Sequence, residues 1–231
     1  MIERDDAILK HLGKYGVSLR HVIEKRFFDG ATCDHVLNRL IRENRVVAEV
    51  GIPGGLSYYH LSLSEARGRG VPEHRARPKR GAALREALQV LQFCCLSKKK
   101  RNRLERRDIG KNFGNGKGSG KPHCAEVDGD RSIIYRVYAP GPNSKDDYLL
   151  KTLRIDLEVA ARVPELQEWI ENGAFGFAVL VETPERKARL LRLIAKHGPR
   201  RVPIVIEVVA GLSTLASTIR IEKGDEHHAS R

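Results

Sequence analysis

Val46-Val47-Ala48-Glu49-Val50-Gly51-Ile52-Pro53-Gly54-Gly55-Leu56-Ser57-Tyr58-Tyr59-His60-Leu61-Ser62-Leu63 contains two β-prone runs, Val46 to Gly51 and Tyr58 to Leu63, on either side of a Pro-Gly-Gly tip. β-branched and aromatic residues fit a pleated surface, while proline and glycine supply the backbone angles of a tight reversal, so the stretch predicts a hairpin. Working back toward the amino terminus, apolar residues recur at helical spacing three times. The sets are Ile8, Leu9, Leu12 and Val17; Val22, Ile23, Phe27 and Phe28; and Val36, Leu37, Leu40 and Ile41. Each segment can turn one face inward, and three such faces enclose one small core. Asp29-Gly30 is a turn signal closing the second segment, and Ala31-Thr32 is expected to open the third. That assignment leaves Asp34, His35, Asn38, Arg39 and Arg42 on the outer face of the third helix. Three helices followed by a hairpin predict a winged helix-turn-helix over residues 1–70, with the Pro-Gly-Gly tip as the wing.

Charge points the outer face toward a polyanion. The chain of 231 residues carries 42 Lys and Arg against 29 Asp and Glu, a formal net charge of +13. Residues 1–74 hold 11 basic and 10 acidic side chains, residues 75–121 hold 15 and 3, and residues 122–231 hold 16 and 16. Nearly all of the excess therefore lies in one connecting segment. Within it, Lys98, Lys99, Lys100, Arg101, Arg103, Arg106 and Arg107 form a run that phosphates attract through counterion release, independently of sequence. Thr32, His35, Asn38, Arg39 and Arg42 are the candidate DNA-reading residues, and Lys98, Lys99, Lys100, Arg101 and Arg103 the candidate phosphate anchors.

The remaining length suits a second domain. Ala82 to Leu96 has helical spacing and is expected to lead into the basic run, all within a linker over residues 71–121. The Gly-rich stretch from Gly110 to Lys121 does not read as a phosphate-binding loop: neither Gly116-Lys117 nor Gly120-Lys121 is followed by Ser or Thr, and neither has a glycine five positions before its own. From residue 122 to 223 the pattern alternates strand and helix. His123 to Val127 and Ile133 to Tyr138 flank Asp128-Gly129-Asp130; helices follow from Asp147 and Pro164; Phe175 to Val181 and Val202 to Val209 read as buried strands around a helix opened by Thr183-Pro184. A mixed-sheet α/β domain results, with a polar tail at residues 224–231. Cys33, Cys94, Cys95 and Cys124 lack metal-ligand spacing, so reduced, packed thiols are expected, with no metal and no cofactor. No apolar run approaches the roughly 20 residues that span a bilayer, and the amino terminus lacks a signal-peptide profile, so a cytoplasmic, nucleoid-associated protein with no membrane partner is expected.

A winged helix ending in Tyr58-Tyr59-His60-Leu61-Ser62-Leu63-Ser64-Glu65-Ala66, then a linker, then a hairpin-helix-strand-helix-strand domain, resembles the replication-relaxation family of bacterial plasmids and mobile elements. The resemblance implies a second domain similar to restriction-endonuclease-like PD-(D/E)XK nucleases. Their signature places an acidic residue after Pro near one strand and an acid-x-Lys group on the next. Here His123 follows Pro122, and Ile133-Ile134-Tyr135-Arg136-Val137-Tyr138 has no carboxylate. Holding magnesium at a phosphodiester requires carboxylate oxygens, so this departure predicts a catalytically inactive frame. The expectation is a non-enzymatic, sequence-specific double-stranded DNA-binding protein of a mobile element, a transcriptional regulator or a replication or transfer accessory factor, with self-association as a further expectation. The alternatives are a magnesium-dependent nuclease of the same fold and a winged-helix module that contacts a partner protein.

Overall fold

The computed structural model describes residues 2–105, 108, 120–129 and 131–219. It is a mixed α/β structure with a three-stranded antiparallel sheet and a five-stranded mixed sheet. The chain divides into two compact units, one formed by residues up to Leu91 together with the segment from Ala210, the other by Gln92–Val209. Within the segment expected to be a linker, residues 71–91 fall in the first unit and residues 100–103 in the second.

In the first unit α1 (Ile2–Tyr15), α2 (Arg20–Phe27) and α3 (Asp34–Arg42) precede the hairpin of β2 (Val46–Ile52) and β3 (Leu56–Leu61). A two-residue strand β1 (Ser18–Leu19) pairs with the free edge of β3, giving the order β1-β3-β2. The predicted apolar faces meet in one core of Ile8, Leu9, Leu12, Ile23, Val36, Leu37, Leu40, Val46 and Leu61, with Phe27, Phe28 and Ile41 packed at its margin. Asp29 and Gly30 both adopt positive φ, making the turn that lets α3 leave at a new angle. α3 starts at Asp34 rather than at Ala31-Thr32, because the Cys33 carbonyl accepts the first amide bonds, from Val36 and Leu37. Thr32 thus lies outside the helix. After β3, Ser62 caps α4 (Leu63–Gly68) by accepting the Glu65 amide at 3.2 Å, a Ser-x-x-Glu start that Glu65 then extends by pairing with Arg45. A short α5 (Glu73–Ala76) follows, and Tyr58 fixes the next stretch: its hydroxyl donates to the Lys79 carbonyl at 2.8 Å and accepts the Lys79 amide at 3.0 Å. α6 (Gly81–Cys95) begins two residues later.

In the second unit β4 (Lys100–Arg103), β5 (His123–Asp128), β6 (Arg131–Tyr138), β7 (Phe175–Val181) and β8 (Ile204–Val208) lie side by side in chain order. β4, β5 and β6 are antiparallel neighbours, whereas β6, β7 and β8 run parallel, so β5 alone runs against the rest. Parallel neighbours need crossovers. α7 (Asp146–Ala160) and α8 (Pro164–Glu171) supply the first and α9 (Pro184–His197) the second. β7 is buried along its whole length, as its unbroken apolar run predicts. Phe175, Phe177, Val179 and Val181 pack with Ile134, Leu149, Leu153, Leu166, Ile170 and Leu190 in one core. β8 is shorter and more exposed than the predicted Val202 to Val209, since it forms the sheet edge. Gly176 permits that pairing at close quarters: a Cβ there would stand 2.5 Å from the Pro203 carbonyl oxygen. Cys94 and Cys124 are reduced thiols packed with their sulfurs 3.2 Å apart, and Cys33 is buried in the first core.

Candidate nucleic-acid interface

α3 is strongly two-sided because its apolar residues fall three and four apart. Val36, Leu37 and Leu40 are buried; His35, Asn38 and Arg42 are exposed and align at spacings of three and four on the opposite face. Thr32 is exposed just ahead of the helix. The five residues singled out on this segment do not all share that freedom. Arg39 turns back to α1, where its Nη2 donates to Asp5 Oδ2 at 2.6 Å, and Asp5 is only 6% exposed. Arg39 is accordingly a pin between α3 and α1, correcting its placement among the freely presented readers. Asp34 is likewise engaged, by Arg20, whose Nε also donates to the buried Glu24 at 2.7 Å.

Periodicity did not single out one cation at this face. The exposed Arg4 guanidinium lies 4.5 Å from the centre of the Phe28 ring, and Phe28 meets the edge of His35 with ring centres 6.3 Å apart. A chain of Arg4, Phe28 and His35 therefore borders the polar face of α3. Only the folding of α1 against the turn after α2 brings Arg4 there, and the sequence signal for it is slight, a lone basic residue in an acidic first turn.

The hairpin tip is Pro53-Gly54-Gly55, with Gly54 and Gly55 at φ 84° and 75°. The pairing register shifts by one residue between Val50 and Ile52, so Gly51 is a bulge that bends the hairpin near its end. Val50 is 80% exposed. The segment 46–62 contains no Lys or Arg, so the tip offers a ligand backbone groups and van der Waals surface rather than charge. Residues 215–219 form a helical turn against this tip: a Cβ on Gly54 would come within 2.7 Å of the Ala216 Cβ.

The basic run is arranged differently from the predicted helix extension. α6 stops at Cys95, and Lys100–Arg103 become β4, the edge strand beside β5. Alternate side chains of a strand point to opposite faces, and that decides their fates. Lys98 and Lys100 are exposed and have no ion-pair partner among the described residues. Lys99 donates to Glu126 Oε1 at 2.7 Å. Arg101 is buried, its side chain fully out of solvent. Its Nε donates to Glu126 Oε2 at 2.7 Å, its two terminal nitrogens grip Glu207 at 2.7 and 2.5 Å, and its guanidinium carbon lies 3.8 Å from the Phe93 ring centre. Arg101 therefore ties α6, β5 and β8 together and reaches no external phosphate, correcting its assignment as an anchor. Arg103 is half-buried and engaged within the fold. Arg106, Arg107, the Gly-rich stretch 110–119, Asp130 and the tail from Gly224 lie outside the described residues.

On β5, Glu126 and His123 each lie against cations. Glu126 is 5% exposed; burial raises its pKa, but Lys99 and Arg101 outweigh this and hold the carboxyl below its ordinary range. A carboxylate already neutralised by two cations is a poor ligand for magnesium. Opposite it, His123 is buried with its Nε2 3.2 Å from Arg136 Nε, and burial together with that positive neighbour depresses its pKa to about 4. Arg136 in turn faces Asp156, which accepts a bond from the Tyr138 hydroxyl. No group of three or more His, Cys, Asp or Glu suited to a metal occurs among the described residues. No helix among them is long and apolar enough to cross a membrane.

Compared with known proteins, the chain matches no family model, no curated protein and no solved structure.

Proposed function

We propose that the protein binds double-stranded DNA sequence-specifically, with its first unit acting as a winged helix-turn-helix and α3 entering the major groove. The observation that carries this reading is the exposed row of His35, Asn38 and Arg42 on a helix whose opposite face is fully committed to the core. Asn can bond adenine and Arg can bond guanine in two-pronged fashion, each good contact being worth about 1–3 kcal/mol of discrimination. Arg4 at the border and Lys98 and Lys100 on the second unit supply sequence-independent attraction to phosphate. The hairpin, lacking cations, adds backbone contacts alone.

The second unit is a nuclease-like frame without nuclease chemistry, in keeping with the resemblance to the replication-relaxation family. Supporting this, Glu126 is held by Lys99 and Arg101, and the two strands that would carry a metal site present His123, Arg136 and Tyr138 instead. The role that follows is that of a regulator or accessory factor of a mobile element, working in the cytoplasm at the nucleoid. A gel-shift assay on DNA flanking its own locus, with and without magnesium, tests both halves. A retarded band of intact DNA in both conditions is expected. Absence of any shift would sink the binding role, and magnesium-dependent cleavage would promote the nuclease alternative.

A further inference from the structure

We propose that α7 is a self-association surface on which two copies of this chain pack as antiparallel helices about a two-fold axis. α7 turns Leu149, Leu153, Leu157 and Ala160 into the core of the second unit. On another side it is held to α9: Asp146 bonds Arg186 and Arg189, and Arg154 Nε donates to the His197 carbonyl at 3.0 Å. The remaining side carries Tyr148, Thr152, Ile155 and Val159, at successive spacings of four, three and four. Tyr148 is 71% exposed, Ile155 47% and Val159 51%, so three large apolar side chains line one solvent-facing stripe. A run of four and three is the seam spacing of paired helices, and apolar side chains aligned along one helix face suit burial against a partner better than isolated exposed residues do.

Charge selects the occupant. Lys151 and Glu158 flank the same edge of the stripe, both exposed and neither with an ion-pair partner among the described residues. In an antiparallel pair of identical helices, Tyr148 packs against Val159 of the other copy and Thr152 against Ile155, and the same register sets Lys151 opposite Glu158 on both sides of the axis. A parallel pair would place the two copies of this edge on opposite sides of the seam, so that Lys151 and Glu158 would not meet. The apolar stripe and its Lys151–Glu158 border are therefore self-complementary in the two-fold antiparallel arrangement, the one that brings these two charges together. The proposal is independent of DNA binding, and it is measured without DNA.

Sedimentation equilibrium of the full chain over 1–100 µM tests it. The expected result is a monomer–dimer equilibrium that Ile155→Asp abolishes and Lys151→Glu weakens at least about tenfold, like charges facing each other twice. The double exchange Lys151→Glu with Glu158→Lys should restore association to near its original strength, since opposite charges again face each other. All three positions are solvent-exposed, and far-ultraviolet circular dichroism should be unchanged in each variant. A monomer at every concentration overturns the proposal. So does a dimer indifferent to Ile155→Asp, or a loss in Lys151→Glu that the double exchange fails to rescue.

Discussion

Arg39 and Arg42 lie one turn apart on α3, and the fold gives them opposite duties. Arg39 neutralises Asp5, a buried carboxylate whose other oxygen has no hydrogen-bond partner. Arg42 is exposed at the end of the helix. Arg39→Ala leaves Asp5 uncompensated and should cost about 1–3 kcal/mol of stability, the lower part of that range being favoured by the partial exposure of the Arg39 side chain. A lowered thermal midpoint checks it. Asn38→Ala and Arg42→Ala should each leave that midpoint within about 1 °C while relaxing DNA sequence preference, because exposed side chains away from caps and cores contribute little to stability. Helical spacing made the outer face of α3 legible, but it could not distinguish a solvent-facing arginine from one that reaches sideways to another helix. That distinction depends on where α1 lies, a long-range fact invisible to local periodicity.

At the scale of elements, the basic run shows how pattern and composition can compete. Lys98 to Arg103 reads as an unbroken cationic stretch, yet in β4 the strand alternation buries Arg101 between Phe93, Glu126 and Glu207 while Lys100 stays exposed. Two acids distant in sequence supply the compensation, so charge counting within the segment overstates the free positive charge. Replacing Lys98 and Lys100 by Ala should make the slope of log affinity against log salt shallower by up to about two units, for all duplexes alike. Arg101→Ala should leave that slope unchanged and destabilise the second unit by about 3 kcal/mol or more, since it strands the buried Glu126 and uncouples Glu207. A salt titration paired with urea denaturation separates these outcomes. The strands and helices of the second unit were legible from apolar runs and from Asp128-Gly129, Thr183-Pro184 and Pro164. β4 was not, because a short edge strand of charged residues lacks every apolar cue.

Across the whole molecule, each unit contains a buried histidine, His11 or His123, whose pKa is depressed by folding. His11 is depressed to about 3 by burial and by nearby Arg26 and Lys14, while its Nε2 bonds Ser18 Oγ at 2.9 Å. His123 is depressed to about 4 by burial and by Arg136. Both titrate near 6.5 in the unfolded chain, so below that pH the unfolded state binds protons that the folded state refuses. Stability is therefore complete above about pH 6.5 and declines as the pH falls toward the folded values, by up to about 1.4 kcal/mol per pH unit for each histidine. The carboxylates of Glu65 and Glu126, held low by their arginine and lysine partners against the opposing effect of burial, add nothing to this loss until the pH drops below about 4.5. Urea midpoints at pH 8 and pH 5 should differ accordingly, and His11→Gln should flatten the dependence of the first unit alone. Equal midpoints at the two pH values would show that these rings take up protons without unfolding.

Sequence-specific recognition by α3 is the central claim, and selection of bound duplexes from a randomised library tests it most directly. At about 100 mM salt the full chain should enrich a defined motif, and the Asn38→Ala, Arg42→Ala variant, folded to the same thermal midpoint, should retain duplex affinity while enriching none. The same motif emerging from the variant, or no motif from the unaltered protein, would contradict the account.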